Sequence, residues 1–352
     1  MSATDASPPA DSGGIMRAAI FHGPGTPLTI EDRPLPVPGA GEVLVKVCRC
    51  GVCGSDVSMT GDAPFTFAPG PIGHEFAGEI VEAGSGVAAL KAGRRVACLA
   101  SIPCGACAGC RNGNPVFCLA PRRGIGGGFG EYVTIPAAGA LALPESLSFG
   151  DGALIEPMAC GLHALRLARL DPGAHVLVLG AGSMALSIIY WARRFRAGRI
   201  VVASRSAHRR EIAMAMGADA FHSFADDDPA DLASLLGDGP DLVAECVGKA
   251  GMLGEAVRYV RPQGTVVSLG MCQKTEPVMP AMLTFKEVRL LFPVAYSVEE
   301  FAETARAFDA DGVHPEMMVS DVIGLDALPR VLEDMRNGTH AGLKVHVDPG
   351  RR

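Results

Sequence analysis

Val178-Leu179-Gly180-Ala181-Gly182-Ser183-Met184-Ala185 is the stretch that decides the fold. An apolar run, His175-Val-Leu-Val-Leu-Gly180, leads into it, and a helical pattern from about Met184 to Arg196 follows. Gly180 and Gly182 allow a tight turn and a close approach of backbone to a pyrophosphate, with Ser183 and Met184 at the helix N-terminus. Ala185, in the third position of the pattern, still lets helix and strand pack closely. Such a glycine pattern is weak alone. Behind an apolar strand, inside a strand–helix–strand unit, it marks a dinucleotide site.

Strand and helix signals then alternate. The strand Arg199-Ile-Val-Val-Ala-Ser204 precedes a helix around Glu211 to Met216. The strand Asp241-Leu-Val-Ala-Glu-Cys246, a helix from about Gly251 to Val260, and the strand Thr265-Val-Val-Ser-Leu-Gly270 come next. Uninterrupted apolar strands between helices imply a doubly wound parallel sheet, an α/β domain over residues 157–296. The helix pattern at its start begins at Met158, after Pro157. The strand ends at Cys246, Leu269 and Gly270 join the glycine turn as expected dinucleotide contacts.

The end of the second strand discriminates between dinucleotides. An Asp or Glu there binds the ribose hydroxyls of NAD and repels a 2′-phosphate. This chain has Ala203-Ser204-Arg205-Ser206, with Arg209 and Arg210 beyond. Ser204 can hydrogen-bond a phosphate, and Arg205 and Arg209 can pair with one. The expectation is NADP(H), with NAD(H) second; a solvated basic turn is the alternative reading.

N-terminal to this domain the texture changes. From Glu42 to about Leu143 the chain is Gly-rich, with short β-like runs such as Glu42-Val-Leu-Val-Lys-Val-Cys48. A small, irregular β domain over 16–156 follows from that, completed by 297–352, where two helix-like segments and the strand Lys344-Val-His-Val347 return. Residues 1–15, rich in Ser, Ala, Pro, Asp and Gly, read as a disordered tail without the charged start and apolar core of a secretory signal.

Composition narrows the class. The 352 residues are 48% hydrophobic with a formal net charge of −7, and carry no basic run, so no nucleic-acid surface is expected. No apolar stretch reaches membrane-spanning length. Eleven cysteines, an odd number with one tight cluster, suit metal ligation and free thiols better than a disulfide framework. A reducing, cytoplasmic location is the expectation.

The cluster is Cys104-Gly-Ala-Cys107-Ala-Gly-Cys110-Arg-Asn-Gly-Asn-Pro-Val-Phe-Cys118. Four thiolates with two, two and seven residues between them can wrap one tetrahedral ion, leaving no open position, as in a structural zinc site. An iron–sulfur cluster is the alternative, but the last spacing departs from the common ferredoxin run. A second set is dispersed: Gly51-Val-Cys53-Gly-Ser55-Asp56, Gly73-His74-Glu75 and Leu154-Ile-Glu156-Pro157. One Cys, one His and one carboxylate meet the needs of a catalytic zinc, which takes about three protein ligands and keeps one place open. Singly, each residue has a duller explanation in packing or helix initiation.

Together these segments, in this order, resemble the zinc-dependent medium-chain dehydrogenase/reductase family, nearest its sorbitol-type and threonine-type branches. The likeness runs from about Arg17 to Pro349. It implies a GroES-like catalytic domain and a Rossmann domain with the active site between them, two zinc ions per subunit, and a homodimer or homotetramer. It makes Cys53 and His74 ligands of the catalytic zinc, with Glu75 a direct or exchangeable ligand and Glu156 bound directly or through water. Ser55 corresponds to the hydroxyl that exchanges the substrate proton, and Asp56 to the residue orienting His74. The implied reaction is hydride transfer between a nicotinamide cofactor and a small alcohol or carbonyl substrate.

Departures from the family pattern bear on the substrate. Ser58 and Met59 stand where relatives often have His and, in the sorbitol branch, Tyr. The segment Phe292-Pro-Val-Ala-Tyr296 lacks that branch's Arg. With Met59, Phe65 and Phe67 near the pocket, a substrate of low polarity is expected; the same apolar groups could simply be core. The alternatives are an NAD-dependent polyol or amino-alcohol dehydrogenase and a non-catalytic dinucleotide-binding regulator on the same fold.

Overall fold

The computed structural model describes residues 14–61, 68–111, 113–120, 126–310 and 314–352. The described residues within Met1–Ile102, Arg122–Ala153 and Asp321–Arg352 form one compact unit, and those within Pro103–Pro121 and Leu154–Ser320 a second. The expected tail lies outside the described residues up to residue 13, and Ile15 already opens the strand Ile15–Phe21.

The first unit is built on antiparallel strands. Glu42–Gly51 is its hub, paired with Glu75–Ala83, Tyr132–Pro136 and Lys344–Val347. Alternation along these strands buries Val43, Val45, Val47, Phe76 and Ile80 in one apolar core with Phe129, Val345 and Val347. Register shifts between Leu44 and Val45 and between Val47 and Arg49 bend the hub, as bulges do, before it ends at Gly51. That end matters: Gly51 pairs with Glu75 on one side and His346 on the other, and Cys53 follows two residues on. A smaller sheet joins Thr29–Pro34, Ile15–Phe21 and Gly70–Pro71.

The second unit carries six parallel strands in the order Ala220–Ser223, Arg199–Ser204, His175–Leu179, Leu242–Glu245, Thr265–Ser268, Arg289–Leu291. The first strand in sequence lies at the centre, so the order reverses beside it, and a dinucleotide crevice forms where strand order reverses. Leu177, Leu179, Val201, Val243 and Val266 bury the middle of the sheet. The outer strands Ala220–Ser223 and Arg289–Leu291 are too short to stand out as periodic runs, and only the sheet supplies their partners.

One helix departs from the sequence expectation. It runs Phe149–Ala168, with Pro157 inside it, rather than starting at Met158. Proline lacks the N–H that would close this turn. The missing bond is the one to the Ala153 carbonyl, and the helix runs on past it. A second helix packs close by, where Trp191 Nε1 donates to the Met158 carbonyl at 2.7 Å and Ser187 Oγ donates to it at 3.2 Å. Gly161 makes the approach possible, since a Cβ there would lie 2.0 Å from Ser187 Oγ.

The cysteine loop also differs from expectation, grouping by contact with the second unit rather than the first. Asn114 ties it there: its side chain caps the turn at Val116 N and donates to the Val294 carbonyl at 2.8 Å.

Candidate functional site

Cys53, His74 and Glu75 come together in the first unit, their ligand atoms all within 4.8 Å of one another. Each position follows from local structure. Cys53 caps the short helix Gly54–Met59, with its sulfur 3.5 Å from the Ser55 N–H. His74 follows Gly73, whose φ of +94° and whose approach to Phe129 (2.7 Å from where a Cβ would stand) admit only glycine. Glu75 opens the strand paired with the hub.

Two buried charged groups support these three. The Asp56 carboxylate, fully buried, accepts the Cys53 N–H at 2.9 Å through Oδ2 and turns Oδ1 toward His74 Nδ1 at 3.4 Å. Burial opposes a charge on His74, yet Asp56 and Cys53 outweigh it and hold the imidazole pKa well above its ordinary value. Behind Glu75, the Lys344 ammonium forms an ion pair with the carboxylate and donates to the Val52 carbonyl at 3.0 Å. Gly51 leaves room for this pair, since a Cβ there would stand 2.1 Å from Glu75 Oε2 and 3.0 Å from Lys344 Cε.

Thiol, imidazole and carboxylate at this separation, with a carboxylate behind the imidazole, fit a zinc ion. The Ser55 hydroxyl sits beside Cys53 with no partner among the described residues. Glu156 belongs to the second unit, buried in the helix Phe149–Ala168 with Cys160 Sγ 4.0 Å from its Oε1. The metal-competent group of the first unit is complete without it. Lys344 escaped the sequence reading; its one signal is a charge at an alternating position of an apolar strand.

Cys104, Cys107, Cys110 and Cys118 also converge. Their sulfurs lie 3.8 Å (104–110), 3.5 Å (107–110) and 4.0 Å (107–118) apart. A tetrahedron of Zn–S bonds about 2.3 Å long separates its sulfurs by about 3.8 Å, so the set fits zinc. N–H donors from Leu119 at 3.3 Å and Cys110 at 3.5 Å reach Cys107 Sγ and hold its pKa down to about 6. Burial instead pushes Cys110 up to about 11. No open position remains around four sulfurs.

In the second unit the glycine turn is formed as expected. Gly180 has φ +101°, Gly182 caps the helix Ser183–Arg194, and Ala185 is fully buried beneath it. Cys246 and Leu269 follow the ends of the neighbouring strands. Around Ser204 the three arginines divide. Arg205 is exposed, and its guanidinium meets no partner among the described residues. Arg209 reaches back to the Ala181 carbonyl at 3.4 Å, and its burial lowers its pKa. Arg210 is engaged by Asp227 at 2.8 Å and lies over the Phe221 ring. Asp226 and Asp227 are the nearby acids, and both are held: Asp226 accepts the Ala207 N–H, and Asp227 the Ser223 N–H. Phe65 and Phe67, expected near the pocket, lie outside the described residues; no helix of the described chain is long and apolar enough to cross a membrane.

Known proteins bear on this geometry. Residues 39–145 match the family described as the alcohol dehydrogenase GroES-like domain, and residues 164–310 the zinc-binding dehydrogenase family. Sorbitol dehydrogenase of Gallus gallus is 33% identical over 80% of this chain and 84% of its own. A zinc-binding dehydrogenase from Sinorhizobium meliloti, solved with NADP, superposes with a TM-score of 0.86 at 30% identity, over 96% of this chain and 100% of the other. An Escherichia coli alcohol dehydrogenase solved with NADH gives 0.85 at 27% identity, over 95% and 99%. Family, metal chemistry and nicotinamide cofactor thus agree with the two clusters and the glycine turn: the chain belongs to the zinc-dependent medium-chain dehydrogenases, near the sorbitol dehydrogenase branch.

Proposed function

We propose that this dehydrogenase transfers hydride between NADP(H) and a small alcohol or carbonyl substrate of low polarity, with Cys53, His74 and Glu75 as the metal ligands of the reacting centre. The observation that carries this reading is the convergence of those three side chains, with Ser55 two residues from Cys53 on the helix that Cys53 caps. Cys53 and His74 hold the metal, and Asp56 fixes the ring of His74. Zinc bound there supplies a Lewis acid for the substrate oxygen, and the nicotinamide supplies the hydride partner. Ser55 would hydrogen-bond the substrate oxygen and relay its proton, giving up its own hydroxyl proton to solvent in oxidation and taking one back in reduction. Lys344 neutralises Glu75 from behind, leaving the carboxylate able to bind metal or withdraw from it. The four-cysteine site holds its loop with a second zinc.

For the cofactor, the support is local. Ser204 and Arg205 stand where an NAD-selective site keeps an acid, and both nearby aspartates are already engaged. Ser183 and Met184 begin the helix that receives the pyrophosphate, and Cys246, Leu269 and Gly270 line the strand ends beyond it. For the substrate, the sorbitol dehydrogenase relative favours a polyol, whereas Met59 and the Phe292–Tyr296 segment favour a less polar alcohol. A homo-oligomer is supported by exposed apolar groups near the edge strand Arg289–Leu291, with Phe285 88% and Phe292 63% exposed.

The deciding experiment compares kcat/KM for polyols and for simple secondary alcohols, each with NADP+ and NAD+. A preference of about tenfold or more for NADP+, lost in Arg205→Ala, is expected. A clear preference for NAD+ contradicts the cofactor reading, and polyols outpacing simple alcohols contradict the low-polarity reading.

A further inference from the structure

A buried carboxylate with no part in the metal chemistry sits in the second unit. Glu245 ends the strand Leu242–Glu245 and is 2% exposed. Burying a carboxylate is expensive unless donors replace its water. Three do. Oε1 accepts the N–H groups of Val247 at 2.7 Å and Gly248 at 2.8 Å, and Oε2 accepts the Ser268 hydroxyl at 3.0 Å. No cationic side chain pairs with it among the described residues.

Its contacts join three pieces of backbone. Val247 and Gly248 form the turn beyond its own strand, and Ser268 ends the next one. That turn packs against the glycine turn: a Cβ on Gly180 would lie 3.1 Å from Val247 Cγ2. It also presses on Gly270, where a Cβ would lie 2.0 Å from Gly248 N and 2.8 Å from Glu245 Oε2. Gly180 and Gly270 are both expected cofactor positions, and Glu245 connects them. In a doubly wound sheet the strands on this side of the order reversal receive the second mononucleotide half, here the nicotinamide half.

We infer that Glu245 is a positioning residue for the dinucleotide, holding the turn at Val247–Gly248 and the strand end at Ser268 in the shape that receives the nicotinamide half. The inference rests on the nicotinamide-dehydrogenase reading but on neither metal site. A tie of fixed reach that accepts three hydrogen bonds explains why a side chain with two acceptor oxygens is buried here. It also sorts substitutions by shape. Gln at 245 keeps the length, can accept both N–H groups through its carbonyl and can donate to Ser268 Oγ. Asp at 245 falls one methylene short of spanning both partners.

The test measures the dissociation constants of NADPH and NADH by fluorescence titration, beside the thermal midpoint of the cofactor-free protein. Glu245→Asp should weaken both cofactors about tenfold or more, Ser268→Ala a few-fold, and Glu245→Gln less than about threefold. All three should keep wild-type zinc content. Asp at 245 binding as wild type overturns the inference, as does Gln failing as badly as Asp, which would make the charge rather than the reach decisive. If Glu245→Asp does not fold, Ser268→Ala decides alone: unchanged affinity overturns the inference. Loss of affinity for both cofactors with metal content intact separates this residue's role from failure of the proposed zinc chemistry.

Discussion

The two metal-competent clusters show how differently a protein can build such a site. Cys104 to Cys118 form a self-contained loop: the ligands are neighbours in sequence, and backbone N–H groups supply the polar support. Cys53 follows the end of one strand, His74 and Glu75 stand at the start of another, and buried Asp56 and Lys344 stand behind them. A loop of four thiolates needs little from the rest of the fold and offers nothing to a substrate. A site of three unlike ligands depends on the sheet that assembles it and leaves a position for chemistry.

The contrast is sharpest under mutation. Cys53→Ala should lower turnover by about a thousandfold or more while the circular dichroism spectrum and the four-cysteine site persist, because one ligand of the open site is gone. Lys344→Met should come next. It strands the Glu75 carboxylate in the core and should cost about 3–5 kcal/mol in chemical denaturation, since losing one partner of a buried pair leaves an uncompensated charge. Wild-type stability in that variant would mean that the Glu75 site does not need its buried support. Cys107→Ala should lower the thermal midpoint by roughly 5–10 °C and leave kcat within a few-fold, measured below that midpoint. A collapse of kcat in the folded protein would erase the distinction between the clusters.

The smallest effect belongs to a hydrogen-bonded pair within the second unit. His163 Nδ1 lies 3.0 Å from Glu300 Oε2, which also accepts the Ser297 N–H at 2.7 Å. Burial alone would raise the Glu300 pKa, but the His163 and Ser297 hydrogen bonds prevail and lower it below its ordinary 4.5. A lowered folded pKa stabilises above the ordinary value and is lost as pH falls through the folded value. Wild-type protein should therefore lose thermal stability below about pH 4.5 more steeply than Glu300→Gln, with zinc content equal in the two at neutral pH. Parallel acid profiles would contradict this assignment.

The same contrast explains what could be read without coordinates. Periodicity revealed the parallel sheet because its central strands are continuous apolar runs, and spacing revealed the cysteine loop because its ligands are local. Cys53, His74 and Glu75 gained meaning only as a set, through resemblance, since no local rule links Cys53 to the His74–Glu75 pair 21 residues on. Lys344 and Glu245 stayed hidden for a related reason: each is a charge at the end of a short strand, and its purpose lies in partners that only the folded sheet supplies. Pro157 was misleading. It reads as a helix boundary, yet the helix loses only the bond to the Ala153 carbonyl there and runs on past it.

The central claim, that one cluster supports the fold and the other the reaction, is tested most directly by zinc content per subunit measured alongside turnover. Wild type should hold two zinc ions, and Cys53→Ala and Cys107→Ala one each. Activity should vanish only in Cys53→Ala, and thermal stability should fall chiefly in Cys107→Ala. A single zinc in the wild-type protein, or equal loss of activity and folding in both variants, would contradict it.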